Sequence, residues 1–162
     1  MNQFELKERN PHGSGLPVVC ENVQNPLEVI YICPSEKALS HEEVISALTA
    51  RRATTLKIAA KIKPGLLYSG GFGLFNSVQI THCQWMTMKN LIDLTSQCRI
   101  VYALNTRFDS DDMNKFIKQW MYGCMIRLKV MILNVERTNF DAIFRGMDEE
   151  RIEAKKTFVY TL

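Results

Sequence analysis

Apolar residues recur along the chain in short runs of the form L-x-x-L-x-L, in which other apolar residues often replace leucine. The fourth and sixth positions of a run lie on one face of an extended chain, so each run predicts a short β-strand. Successive runs start 26, 22, 23 and 30 residues apart, a period typical of repeat proteins. The five runs are Leu27-Ile30-Ile32, Ala53-Leu56-Ile58, Phe75-Val78-Ile80, Cys98-Val101-Ala103 and Leu128-Met131-Leu133.

Segments with helical spacing separate these runs. The clearest is DSDDMNKFIKQWMYG, whose acidic start suits a helix amino terminus and whose Gly123 is placed to end the helix. Shorter helices are predicted after Ser40, which forms a capping-box pattern with Glu43, around Leu91, and from Thr138 as N-cap to Gly146. The predicted core stripe of the longest helix is Met113, Phe116, Ile117, Trp120 and Met121, and that of the last helix is Phe140, Ile143, Phe144 and Met147.

The alternation of strands and helices along the chain predicts an α/β fold with parallel strands and helices packed against the sheet. Simple succession of the repeats favours a leucine-rich-repeat-like horseshoe of short strands and helices. Residues 1–26 are rich in turn formers and are predicted to be irregular, so the domain is expected at 27–162. The final TFVYTL, residues 157–162, is a possible last strand.

His82 and Cys83 stand together and raise the question of a reactive pair. Counted from Phe75, Cys83 is the ninth repeat position, where a leucine-rich repeat has Asn or Cys, and Trp85 is the eleventh, apolar position. Counted from Cys98, Thr106 and Phe108 occupy the same two places. Neighbours in an extended chain point to opposite sides, so we interpret Cys83 as a buried structural residue. A small enzyme using Cys83 is the alternative.

Composition narrows the class of protein further. The chain has 162 residues, 46% hydrophobic and 23% charged, with a net charge of +3, as in an ordinary globular domain. Its five cysteines are widely spaced, which favours free thiols in a reducing compartment. No secretory signal or membrane-spanning run is visible, so we expect an intracellular protein, in cytoplasm or nucleus, without membrane contact.

Other motifs carry weaker signals. The glycines of SGGFGLF precede a strand and lack a following lysine, which favours a turn over a phosphate loop. Asp109, Asp111 and Asp112 suit a helix start as well as a metal or acid–base site. The basic stretch ARRATTLKIAAKIK leaves a nucleic-acid-binding module as a second alternative, although no aromatic residues are interleaved. We expect no catalytic residue, no cofactor and no metal, because histidines and cysteines lack paired short spacings.

Three segments together resemble the nematode F-box associated domain (type 2). They are FNSVQITHCQWMTMKNLIDL, CRIVYALNTRFDSDDMNKFIKQW and RLKVMILNVERTNFDAIFRGM, from about Phe75 to Met147. The order of a strand with tryptophan, a Cys-led strand, a helix ending in Phe-x-x-x-Trp and a final L-x-x-L strand is that of the family. The residues at the matching places are Trp85, Cys98, Phe116, Trp120, Leu128, Phe140, Ile143 and Gly146.

This resemblance implies a protein-interaction domain that recruits substrates to a cullin-based ubiquitin ligase. Members of the family normally carry an F-box that binds a Skp1-like adaptor. Residues 1–40 show no helical pattern of that kind, so we expect the chain to bind a protein substrate but not, on its own, a Skp1-like adaptor.

Alternation along the strands predicts where such a substrate would bind. If the first, fourth and sixth positions of each repeat face the core, the third, fifth and seventh face the opposite, concave side. On the first three strands these positions are mixed or polar, whereas on the last two they are mostly apolar. The predicted partner-binding residues are Ile100, Tyr102, Leu104, Val130 and Ile132. Residues 157–162 are an alternative cover for this patch.

Overall fold

The computed structural model describes residues 3–6, 27–136 and 138–147. Its centre is one parallel sheet in which the strands follow one another in the order of the chain. Sequential parallel strands require a return connection, so each connection from β2 to β6 runs back to the edge at which the strands start. The strands are β1 (Gln3–Leu6), β2 (Leu27–Ile32), β3 (Ala53–Ile58), β4 (Ser77–Ile80), β5 (Ile100–Ala103) and β6 (Val130–Leu133).

The strands from β2 to β6 pair so that equivalent repeat positions lie side by side. Fourth positions form one row across the sheet and sixth positions form a second row. Both rows are buried from β2 to β5 and part-buried on β6, so the sheet has one apolar face. The rows are Ile30-Leu56-Val78-Val101-Met131 and Ile32-Ile58-Ile80-Ala103-Leu133.

Four helices contribute buried side chains to the same core as these rows. They are α1 (His41–Leu48), α2 (Met88–Gln97), α3 (Ser110–Met121) and α4 (Phe140–Phe144). The predicted capping box of α1 is confirmed, since the Ser40 side chain accepts from the backbone N–H of Glu43 and the Glu43 carboxylate accepts from that of Ser40. Such a box satisfies two backbone donors that the helix itself leaves unpaired.

The next two helices begin in the same way. Thr87 and Asn90 form a capping box on α2, and Asp109 and Asp112 form one on α3. After α3 the chain turns at Gly123, whose φ of 86° lies in the left-handed region that glycine adopts without strain. The predicted end of this helix at Gly123 is therefore confirmed.

The structure differs from the predicted element order in two places. Strand β1 lies inside the segment 1–26, for which the sequence predicts irregular structure, and pairs in parallel with β2. No helix joins β3 to β4, whereas the predicted order is a strict alternation. Residues 59–76 make this connection in an irregular path that carries the buried side chains of Leu66, Tyr68 and Phe72.

Two details of the predicted helices are also corrected. The N-cap of α4 is Asn139, whose side chain accepts from the N–H of Ala142, while the Thr138 hydroxyl donates to Val135. The core stripe of α3 is buried at Met113, Phe116 and Ile117 but only part-buried at Trp120 and Met121, and Phe140 of α4 is 47% exposed. Residues 157–162 and the rest of 1–26 lie outside the described residues.

The difference in burial along the α3 stripe predicts how strongly its aromatic residues stabilise the fold. Phe116 is fully buried, so Phe116→Ala should lower the free energy of unfolding by about 3–5 kcal/mol, the usual loss for a large core aromatic. Trp120 is part-buried, so Trp120→Ala should cost less than Phe116→Ala. Chemical denaturation of both variants measures the order, and a larger loss for Trp120→Ala would contradict this assignment of the helix faces.

A backbone contact in the glycine-rich SGGFGLF connects the irregular path to α1. The N–H of Gly73 donates to the carbonyl of Leu48 at 2.8 Å, and a Cβ built on Gly73 would lie 2.1 Å from the carbonyl oxygen of Ala50. No side chain fits at that distance without moving the backbone. The glycine at position 73 is therefore a packing requirement of the irregular connection from β3 to β4.

We expect Gly73→Ala to destabilise the fold by roughly 3 kcal/mol or more, because forced overpacking against backbone is at the costly end of its usual range. Gly71→Ala is the matched control, since a Cβ at Gly71 meets nothing within 4 Å, and should change stability by less than about 0.5 kcal/mol. Thermal unfolding of the two variants provides the comparison. Equal melting temperatures would show that the turn adjusts freely.

Candidate protein-binding surface

The predicted binding residues come together on the two last strands of the sheet. Ile100 pairs with Val130 and Tyr102 pairs with Ile132. Because these positions alternate with the buried rows, their side chains point to the face opposite the core. Val130 is 37% exposed and the other three are half-buried. Adjacent strands lie about 4.8 Å apart, so the four side chains form one apolar patch, called here the β5–β6 patch.

The fifth prediction in this group, Leu104, lies one step beyond β5 at the carboxyl edge. Its N–H donates to the carbonyl of Ile80 and its carbonyl accepts from the N–H of Cys83. The backbone of Leu104 is thereby tied to β4 on the side away from β6, and its side chain is half-buried. Leu104 therefore borders the β5–β6 patch.

The same face is polar over β3 and β4. The third and fifth positions of the inner strands are Thr55 and Lys57 on β3 and Ser77 and Gln79 on β4. Lys57 is exposed and the others are half-buried. A protein target lying across this face would therefore meet apolar contacts over the outer strands and polar contacts over the inner ones, as in the core and rim of an interface.

Two asparagines fix the carboxyl ends of the outer strands, and the sequence analysis did not single them out. The side-chain N–H of Asn105 donates to the carbonyl of Thr81 at 2.8 Å, and the side-chain oxygen of Asn134 accepts from the backbone N–H of Asn105 at 3.1 Å. Asn105 has a φ of 53°, a left-handed conformation that asparagine tolerates. The signal in the sequence is a Leu-Asn pair at the carboxyl end of each of these strands, Leu104-Asn105 and Leu133-Asn134.

Cys83 lies at the ninth repeat position as a buried structural residue. Its thiol donates to the carbonyl of Ile80 at 3.3 Å, and its side chain is fully buried. Burial raises the pKa of the Cys83 thiol well above its ordinary value, which removes the thiolate that a nucleophile needs. Thr106, at the ninth position of the next repeat, is also buried, and its hydroxyl donates to the carbonyl of Asn134.

The remaining chemical candidates are occupied in local structure. Asp109 accepts from the N–H of Asp112 at 2.9 Å as the N-cap of α3, while Asp111 lies in the first turn of that helix. Within the described part of the chain, no group of three or more His, Cys, Asp or Glu residues is arranged to hold a metal ion. His12, Cys20 and the charged run 149–156 lie outside the described residues.

The basic stretch ARRATTLKIAAKIK does not form one patch. Arg51 and Arg52 precede β3 at the amino edge of the sheet, Lys57 is on the strand, and Lys61 and Lys63 follow it at the carboxyl edge. A six-residue strand is about 20 Å long, so these cations lie at opposite ends of the strand. The stretch therefore does not supply one continuous basic surface for nucleic acid.

Comparison with known families gives one match. The F-box associated family model matches residues 73–133, which comprise β4, α2, β5, α3 and β6. The resemblance identified in the sequence is confirmed for this segment, which contains all five predicted binding residues. No curated protein and no solved structure matches the chain. Among the described residues, no helix is both long and apolar enough to cross a bilayer.

The free thiols differ in exposure, so chemical modification can test whether Cys83 is buried. Cys83 is buried and Cys124 is exposed, so a thiol reagent added to the native protein should modify Cys124 first and leave Cys83 unmodified. Cys98 should also resist, because burial raises its pKa to about 11. Peptide mapping after timed alkylation gives the order of modification. Modification of Cys83 at the rate of Cys124 would contradict its structural role.

Proposed function

We propose that this chain recognises protein targets for a cullin-based ubiquitin ligase and binds them on the β5–β6 patch. The observation that carries the proposal is the coincidence of the F-box associated segment 73–133 with the strands that build this patch. An F-box associated domain implies a role in substrate recognition. A patch formed by one aromatic and three aliphatic residues supplies the apolar centre that such recognition needs.

Tyr102 is the anchor in this proposal. It lies in the fifth-position row between Gln79 on one side and Ile132 on the other. Tyrosine offers a large apolar ring with a hydroxyl at its tip, and it is enriched among residues that dominate binding energy. Ile100 and Val130 extend the apolar contact toward the amino ends of the strands, and Leu104 borders it at the other end.

The architecture that presents the patch is, in this proposal, a short horseshoe of leucine-rich-like repeats. Support comes from the succession of parallel strands and from the ninth-position residues Cys83 and Thr106, whose side chains bond to backbone carbonyls where strands end. In a horseshoe the strand face opposite the helices is concave, which would place Tyr102 inside the curve.

The proposal assigns binding and no chemistry to this domain. The thiol of Cys83 is buried and its pKa is raised, and Asp109 is engaged as a helix cap, so neither supports an enzymatic reading. We further propose that the protein acts inside the cell, in cytoplasm or nucleus, as a nematode member of its family. The β5–β6 patch would contact the target, and no contact with a Skp1-like adaptor is assigned to this domain.

The test is the double variant Tyr102→Ala with Ile132→Asp. Loss of the anchor and a charge in the apolar centre should abolish target capture, since removal of one central aromatic commonly costs about 2 kcal/mol or more. Neither residue belongs to the buried rows, so the fold should persist, as circular dichroism and a denaturation curve would show. Quantitative co-precipitation from nematode cells compares the captured proteins with those of wild type.

A matched control is Leu67→Ala with Gln119→Asp, which also removes one apolar side chain and adds one negative charge, at exposed positions outside the strands of this face. Proteins retained by wild type and control but lost from the test variant are the candidate targets. They should also lose ubiquitin chains when the endogenous chain is depleted. If the folded test variant retains every wild-type partner, the β5–β6 patch is not the binding site. If specific partners are lost but their ubiquitylation never changes, the link to a ligase is wrong.

A further inference from the structure

The amino edge of the sheet gathers positive charge that the overall composition conceals. The segments that reach this edge before β3, β4, β5 and β6 are 49–52, 73–76, 97–99 and 122–129, and they contain no Asp or Glu. They do contain five basic residues, each of them exposed, in a chain whose net charge is only +3. These residues are Arg51, Arg52, Arg99, Arg127 and Lys129.

Backbone bonds hold three of these cations close together. The carbonyl of Asn76 accepts from the N–H of Arg99 at 2.8 Å, and the carbonyl of Arg99 accepts from the N–H of Lys129 at 2.8 Å. The guanidinium of Arg127 lies 3.4 Å from the side-chain oxygen of Asn76. Neighbouring strands are about 4.8 Å apart, so Arg99, Arg127 and Lys129 share a small area.

The same segments of the amino edge also carry large apolar side chains that are exposed. Leu74 is 75% exposed, Tyr122 is 77% exposed and Ile126 is 83% exposed. Leu74 lies two residues before Asn76, and Ile126 directly precedes Arg127, which reaches Asn76. Exposed aliphatic side chains in the same segments as the cations offer a partner apolar contact beside charge, which a purely charged edge does not.

We propose that this amino edge binds an acidic protein segment that carries apolar side chains. Carboxylates match arginine and lysine through charge-assisted hydrogen bonds, and the exposed Leu74 and Ile126 match aliphatic side chains between them. The edge from β3 to β6 spans three strand spacings, about 14 Å, which an extended peptide covers in about five residues. This surface adjoins the β5–β6 patch at Ile100 and Val130, but its binding is tested independently of the proposal made above.

A nucleic-acid partner fits the same surface less well. Single-stranded RNA and DNA are held by cations together with aromatic rings on which bases stack. Two of the three exposed apolar residues are aliphatic, and the third, Tyr122, is the one aromatic among them. The composition of the edge therefore favours apolar side chains of a peptide over bases.

The test uses a fluorescein-labelled peptide of about eight residues of alternating Glu and Leu, long enough to cross the edge. Fluorescence anisotropy of the full chain measures its affinity. Arg99→Glu with Lys129→Glu should weaken binding by about tenfold or more, since facing like charges oppose association. The matched control, Lys61→Glu with Lys115→Glu, changes the net charge equally at exposed positions away from this edge and should weaken binding by less than about twofold.

Two further measurements separate the contribution of charge to peptide binding from that of apolar contact. Leu74→Ser with Ile126→Ser should weaken binding of the same peptide by roughly fivefold through lost apolar contact, and a Glu-Ser peptide of equal charge should bind more weakly to wild type. Circular dichroism checks that each variant is folded, and Arg99→Gln with Lys129→Gln replaces the charge-reversal variant if that one unfolds. Equal losses in the test and control charge variants, or tighter binding of a poly-uridine oligonucleotide of equal charge, would overturn the proposal.

Discussion

The structure depends on the pairing of five strands without a change of register. From β2 to β6, each fourth position lies beside the next fourth position, and each sixth beside the next sixth. A slip of one residue in any strand would turn its apolar side chains to the other face. The continuous core, the apolar patch and the alignment of strand ends all follow from this pairing, so the register determines both proposed surfaces.

The register is fixed from both ends of the outer strands. At the carboxyl edge, Asn105 and Asn134 join successive strand ends through side-chain bonds to the backbone. At the amino edge, Asn76, Arg99 and Lys129 are joined by backbone bonds. Residues between two such fixed ends have little freedom to shift, which suits a surface whose side chains must be positioned before a partner arrives.

Periodicity was sufficient to predict the strands, the buried rows and the structural role of Cys83, because these depend on which side chains face inward. It was insufficient where depth or connection mattered. Trp120 has the spacing of the core stripe but is only part-buried. Periodicity indicates which way a side chain points, but not how deeply it is buried. The strand Gln3–Leu6 carries no repeat pattern, and its pairing with β2 could not be read from four residues. The path from β3 to β4 depends on the contact of Gly73 with α1, which no local pattern reveals.

The grouping of charged residues in space was the feature hardest to predict from the sequence. The cations that are neighbours in sequence, from Arg51 to Lys63, are separated by the length of β3, whereas Arg99 and Lys129 are 30 residues apart in number and adjacent in the sheet. Each of these two precedes a residue of the β5–β6 patch, Ile100 and Val130. A target that places apolar side chains on the patch would therefore reach the basic edge within one or two extended residues. An acidic residue at that point of the target would add attraction to apolar contact, and the two surfaces would then select one sequence together.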